Sequence, residues 1–299
     1  MTTATGGKWD RTAWPAYFIA SNPETLRHAF EVNDHLLVAV NELKGDEDLA
    51  LLERFIANRC NVFIDSGVFW LATGHAKAHG LSMDEGLSLA PDKIDGFDDL
   101  FRRYVETITK IGDRAWGYIE IDQGGRENKI KTRARLEGLG LRPIPVYHPF
   151  NDGWDYFDYL AENYDRICFG NVVQADPETR RRLIATAWER RRKYPHLWIH
   201  ALGLTASELT TAWPINSCDS SSWLSAVRWG RHHASSANKR CWLIGEEFNY
   251  DPAAGFDTST GHRKARRMCS YEAMFTTLTM QAMANEARAV LGTDPAAPL

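Results

Sequence analysis

The chain alternates short apolar runs with amphipathic stretches, and this alternation limits its fold more than any other feature. The apolar runs lie at 16–20, 36–40, 62–64, 116–121, 143–147, 166–169, 197–199 and 214–217. Most are near-continuous in apolar residues, the pattern of parallel strands covered on both faces. Helical stretches fall between them. The segment 46–58 places Leu49, Leu52, Phe55 and Ile56 on one face, and Ser21-Asn22-Pro23-Glu24 has the capping chemistry of a helix start. Further helices are predicted at 97–111, 127–139, 154–164 and 177–193. Eight β/α beats in 299 residues predict an α/β protein, a single (β/α)8 TIM barrel spanning 1–299. Pro143 and Pro145 are awkward in the fifth strand because each removes a ladder donor.

Two stretches depart from the beat. Residues 70–98 show little periodicity and read as a long insertion after strand 3, of the kind used as functional loops or lids. After Trp223 a basic stretch, a further strand at 241–244 and a terminal helix from Arg263 towards Leu291 read as a C-terminal extension.

Composition narrows the partners. The net charge is −4, so no overall basic field draws in nucleic acid, and a nucleic-acid ligand must be held by a local patch. The candidates are Arg228, Arg231, Lys239, Arg240, Arg263, Lys264, Arg266 and Arg267. The runs Arg180-Arg181-Arg182 and Arg190-Arg191-Arg192 read as solvated helix surface. Five cysteines with no Cys-x-x-Cys pair read as reduced thiols. No apolar stretch approaches the roughly 20 residues of a membrane span. The expectation is a soluble cytoplasmic protein with no membrane partner.

The chemistry is expected where parallel strands end together. Asp65, Asp122, His148, Gly170-Asn171, His200 and Asp219 all fall at such ends. Three carboxylates at one rim repel one another, a cost that a function explains. Three readings fit. In the first, one carboxylate attacks an anomeric carbon while a second moves a proton. In the second, His148, His200 and Asp219 ligate a metal for hydrolysis, although no His-x-His or His-Glu-x-x-His spacing supports it. In the third, the mouth only binds nucleic acid or another partner.

Ile64-Asp65-Ser66-Gly67-Val68-Phe69 resembles the Asp-Ser-Gly-Gly-Phe segment of tRNA-guanine transglycosylases. His200-Ala201-Leu202-Gly203-Leu204, followed by Ser217-Cys218-Asp219, resembles their strand-seven glycine motif and the segment bearing their nucleophile. Order and rough spacing agree from about residue 60 to 225. The resemblance implies a TIM barrel that exchanges guanine in a nucleic acid for a 7-deazaguanine through a covalent glycosyl-enzyme intermediate. It makes Asp219 the nucleophile at C1′ and Asp65 the acid/base. It makes Asp122 the acceptor for the guanine edge. His148 falls where the family usually has Gln, and Gly170 resembles the glycine whose backbone lies against the base. Asn171, His200 and Gly203 complete the expected base pocket, with Phe69 stacking on the purine.

Two departures alter the expectation. The family's Cys-x-Cys-x-x-Cys…His zinc site is absent, as Cys241 and Cys269 stand alone, so no zinc, other metal or cofactor is expected. Ser220-Ser221-Ser222-Trp223 replaces the basic run that follows the family's nucleophile. With no appended RNA-binding domain, the chain is more similar to the small phage-encoded DNA-guanine transglycosylases. That implies DNA and a free base such as 7-cyano-7-deazaguanine as partners, protection of the DNA from restriction, and host cytoplasm as the location. The alternatives are exchange on tRNA, a non-catalytic nucleic-acid-binding subunit, and a metal-dependent barrel hydrolase. Any of these is compatible with an oligomer.

Overall fold

A computed structural model describes residues 16–21, 35–58, 60–204 and 216–221. Among the described residues there are eight strands: β1 (Ala16–Ser21), β2 (His35–Ala39), β3 (Asn61–Asp65), β4 (Gly117–Tyr118), β5 (Val146–Tyr147), β6 (Arg166–Phe169), β7 (Trp198–Ala201) and β8 (Ser217–Ser220). The α-helices are α1 (Asp46–Ala57), α2 (Val68–Ala78), α3 (Met83–Ser88), α4 (Phe97–Ile111), α5 (Gly125–Gly138), α6 (Trp154–Asn163) and α7 (Pro177–Arg191). The fold is mixed α/β around one sheet of order β4-β3-β2-β1-β8-β7-β6-β5, and every pairing in it is parallel.

The sheet is strongly curled. The rings of Phe63 on β3 and His200 on β7 lie 4.8 Å apart, centroid to centroid. In a flat sheet, four strand spacings would hold those strands about 19 Å apart. Residues flanking the two end strands also meet. A parallel bridge joins Ile119 to Ile144, with Ile144 N donating to Tyr118 O at 2.8 Å and Glu120 N to Ile144 O at 3.0 Å. Phe18, Leu37, Phe63, Trp116, Val146, Cys168 and Trp198 pack together inside the curl.

The ladder between β4 and β5 is short for a chemical reason. Pro143 and Pro145 have no N–H to contribute. The N–H of Val146 is taken by a side chain, donating to Glu120 Oε1 at 2.6 Å. Glu120 in turn accepts from Arg133 Nη1 of α5 at 3.0 Å, and this pair is buried.

The helices follow the apolar periodicity. In α4, Phe97, Leu100, Tyr104, Thr107, Ile108 and Ile111 form the buried stripe, and Tyr104 donates to Ile119 O at 2.6 Å. Helix α7 begins with Pro177 behind the cap Asp176, whose Oδ1 accepts from the N–H groups of Glu178 and Thr179.

Three expectations are corrected. Residues 70–98 are largely helical: α2 and α3 fill most of the stretch, and a capping box between Ser82 and Glu85 starts α3. Their small residues hide the stripe, since beyond Val68 in the first turn α2 buries only Ala72 and Ala76. The arginines of α7 are not all solvated. Arg191 is buried with Nε donating to Leu197 O at 2.9 Å. Arg180 donates to the carbonyls of Val172, Val173 and Ala175, and Arg190 pairs with Asp158. Strands β7 and β8 run past His200 and Asp219, so both residues lie within strands rather than after them. The predicted helix after Ser21 and the whole C-terminal extension lie outside the described residues. Among the described residues no helix is long and apolar enough to cross a membrane.

Candidate active site

Strands read residues alternately to opposite faces, and two such pairs build the centre of the site. Trp198 and His200 share a face of β7, and Ser217 and Asp219 share a face of β8. His200 is in register with Ser217. The side chains form one chain of hydrogen bonds. Trp198 Nε1 donates to Ser217 Oγ at 2.7 Å, Ser217 Oγ lies 2.8 Å from His200 Nδ1, and His200 Nε2 lies 3.1 Å from Asp219 Oδ1.

The chemistry of the ends assigns the protons. An indole N–H only donates and a carboxylate only accepts. His200 therefore donates a hydrogen bond from Nε2 to Asp219, and Ser217 Oγ bridges its Nδ1 to the indole. Asp219 Oδ1 takes a second bond from the N–H of Gly203 at 3.0 Å. Gly203 holds φ +69°, a left-handed conformation suited to glycine. Both bonds fall on one oxygen. Among the described residues Oδ2 takes none, and the Asp219 side chain keeps 10% exposure.

A second carboxylate ends β3. Asp65 Oδ2 accepts from the N–H of Gly67 at 3.2 Å. Burial pushes its carboxyl up to about 7, and the charges of Asp122 and Asp219 push the same way. Asp65 thus feels the charges of both other acids predicted to share its mouth. Gly67 lies at φ +78°, where a Cβ would stand 2.2 Å from Asn41 Oδ1. The turn after Asp65 therefore admits no side chain at that position.

The third carboxylate is held differently. Asp122 Oδ2 lies 3.0 Å from His148 Nε2. Burial pushes the Asp122 carboxyl up, but the hydrogen bond and charge of His148, with Lys129 behind it, hold it below its ordinary value. His148 is itself positioned. Its N–H donates to Asp152 Oδ2 at 2.7 Å, and Asp152 is neutralised by the wholly buried Lys129. Gly170 makes room for the ring, because a Cβ there would lie 2.8 Å from His148 Cδ2 and 2.9 Å from Nε2.

The remaining predicted residues are placed as follows. Asn171 takes a left-handed φ of 63° directly after Gly170. Phe69 stands in the first turn of α2, 43% exposed and edge-on to Trp70, so it is not a core residue. Arg228, Arg231, Lys239, Arg240, Arg263, Lys264, Arg266 and Arg267 lie outside the described residues. The metal-ligand grouping is not formed: His148 turns to Asp122, and His200 to Asp219. Sequence reasoning missed Trp198, Ser217, Lys129 and Asp152. The first two carried a signal, the Trp-x-His and Ser-x-Asp alternation on adjacent strands. Lys129 and Asp152 carried none, since their pairing joins a helix to a loop.

No family profile matches the chain, and no curated protein matches it. Similar solved structures include one described as a native KDPGal structure, 11% identical, covering 91% of this chain and 98% of that one, with a TM-score of 0.45. Another is a cube-shaped, highly porous protein cage designed by fusing symmetric oligomeric domains, 12% identical, covering 94% and 81%, with a TM-score of 0.41.

Proposed function

We propose that the curled sheet is a (β/α)8 TIM barrel and that its mouth is the active site of a DNA-guanine transglycosylase. The observation that carries this reading is the division of labour among the three acids. One has an oriented carboxylate with one oxygen unengaged among the described residues, one holds a proton near neutrality, and one stays ionised.

In the proposed reaction Asp219 Oδ2 attacks C1′ of a deoxyguanosine flipped out of the duplex. The C1′–N9 bond breaks and an ester forms between Asp219 and deoxyribose. The protonated Asp65 gives its proton to the departing guanine. The resulting Asp65 carboxylate then takes the N9 proton of an incoming 7-deazaguanine. The freed N9 attacks C1′, which breaks the ester and restores Asp219. A carboxyl that ionises near 7 serves both half-reactions, because donor and acceptor forms coexist at working pH. Asp122, held ionised by His148, accepts from the N–H donors of the guanine edge. The imidazole of His200 and the amide of Gly203 hold Asp219 at the angle for attack.

The test is exchange of labelled guanine into duplex DNA, run beside an identical reaction on tRNA. Wild type incorporates label into DNA and leaves a covalent protein–DNA band on a denaturing gel, and Asp219→Ala does neither. Exchange that survives in Asp219→Ala overturns the assignment of the nucleophile. Label entering only tRNA overturns the choice of DNA.

A further inference from the structure

A second group of chemistry-bearing side chains sits on α2, independent of the reaction at the mouth. His75 lies in the last turn of α2 and His79 is its C-cap. At a separation of four residues they share a face, and their ring centroids are 4.2 Å apart. The chain returns to this face at Asp95, just before the Gly96 cap of α4. One oxygen, Asp95 Oδ2, lies 3.2 Å from His75 Nδ1 and 2.9 Å from His79 Nε2.

Protons alone do not satisfy this arrangement. The backbone N–H of Asp95 also points at His75 Nδ1, at 3.2 Å. If Nδ1 accepts that hydrogen, its lone pair faces a carboxylate oxygen with no proton between them. If Nδ1 is protonated, it opposes the amide N–H. A cation bound by the unprotonated Nδ1 and Oδ2 replaces the first repulsion with two bonds, and the Asp95 N–H then gives up Nδ1, whose single lone pair goes to the ion. The two distances to Asp95 Oδ2, 3.2 and 2.9 Å, are close to the ligand–ligand edge of about 3.3 Å that bonds of 2.0–2.1 Å to a tetrahedral zinc-class ion set. Among the described residues these three alone bring such donor atoms together, all within 4.8 Å of one another.

We propose that His75 Nδ1, His79 Nε2 and Asp95 Oδ2 bind one divalent ion of the zinc class, with water completing the tetrahedron. Two imidazoles favour such an ion over magnesium or calcium, which take oxygen ligands. The site opens to solvent, as the His79 and Asp95 side chains are 52% and 80% exposed. Its effect is to tie the segment carrying α3 back onto α2. The same segment is pinned next to Asp122 by Gln123 Nε2, which donates to the carbonyls of Gly86, Leu87 and Leu89. An ion at Asp95 fastens the other end of the segment.

The test is a Zn2+ titration of the chelator-treated full chain by calorimetry, with Co2+ as a spectroscopic probe. Wild type takes up one equivalent in this site and shows the visible bands of a tetrahedral Co2+ complex. Its thermal midpoint rises with Zn2+. His79→Ala loses that equivalent, those bands and that rise, and Asp95→Asn binds at least about tenfold more weakly. His79 is half exposed, so the alanine variant keeps its fold, which far-ultraviolet circular dichroism checks. Equal Zn2+ affinity in wild type and His79→Ala, or no uptake by wild type, overturns the proposal and leaves a cluster of His–Asp ion pairs.

Discussion

His200 and Asp219 face each other from adjacent parallel strands, Nε2 to Oδ1 at 3.1 Å, with the imidazole almost wholly buried. The ring is held on its far side by Ser217, which is held by Trp198. Asp219 is thereby oriented by a chain of three side chains behind it.

Asp219 carries the proposed covalent step. Asp219→Asn keeps the shape but removes the nucleophilic charge, and the His200 bond persists. Base exchange is expected to fall by about four orders of magnitude or more, with DNA binding retained in a gel-shift assay.

Ser217 is a positioning residue. Ser217→Ala removes the hydroxyl that accepts from the Trp198 indole and contacts His200 Nδ1. The expected cost is about 1–3 kcal/mol of stability by denaturant unfolding. The readout of positioning is kcat, expected to drop about tenfold while KM for the base holds. Ser217→Thr, which keeps the hydroxyl, recovers most of that loss.

Asp65 sets a pH dependence. Its carboxyl ionises near 3.8 when unfolded and near 7 when folded. Between those values the folded state holds a proton that the unfolded state has released. Stability therefore falls as pH rises through the window, and the full penalty stands above it. The carboxyl is partly open to solvent, which reduces the effect. Asp65→Asn should raise unfolding stability by about 2 kcal/mol near pH 8, with the difference vanishing near pH 4. The first half-reaction should slow above pH 7 in wild type, as the proton donor is lost.

Gly170 exists for the ring of His148. In Gly170→Ala the new methyl meets that imidazole at 2.8 Å and pushes it off Asp122. KM for the incoming base should rise about tenfold, and combining Gly170→Ala with His148→Ala should cost no more than His148→Ala alone.

The buried pair behind the site is a stability element. Lys129→Met strands Asp152 without its cation, at an expected cost of about 3–5 kcal/mol by chemical denaturation. Asp152→Asn added to that variant recovers part of the loss.

Local pattern determined much of this protein. The continuous apolar runs specified parallel strands, the spacing of Phe97, Leu100, Tyr104 and Ile108 specified a helix face, and strand ends specified which acids come near enough to Asp65 to act on it. Those features repeat every two or 3.6 residues, so a linear reading finds them. Other features depended on residues far apart in sequence. Nothing in the chain says that His148 turns to Asp122 while His200 turns to Asp219, separating two histidines that residue type alone would group around a metal. The helices at 68–88 were hidden because, Val68 apart, the residues they bury are alanine and glycine, and buried Arg191 was hidden inside a run that looks solvated. The proton on Asp65 comes from its burial and from two charges on other strands. Desolvation and pairing are set by three-dimensional distance, and only the curl of the sheet supplies those distances.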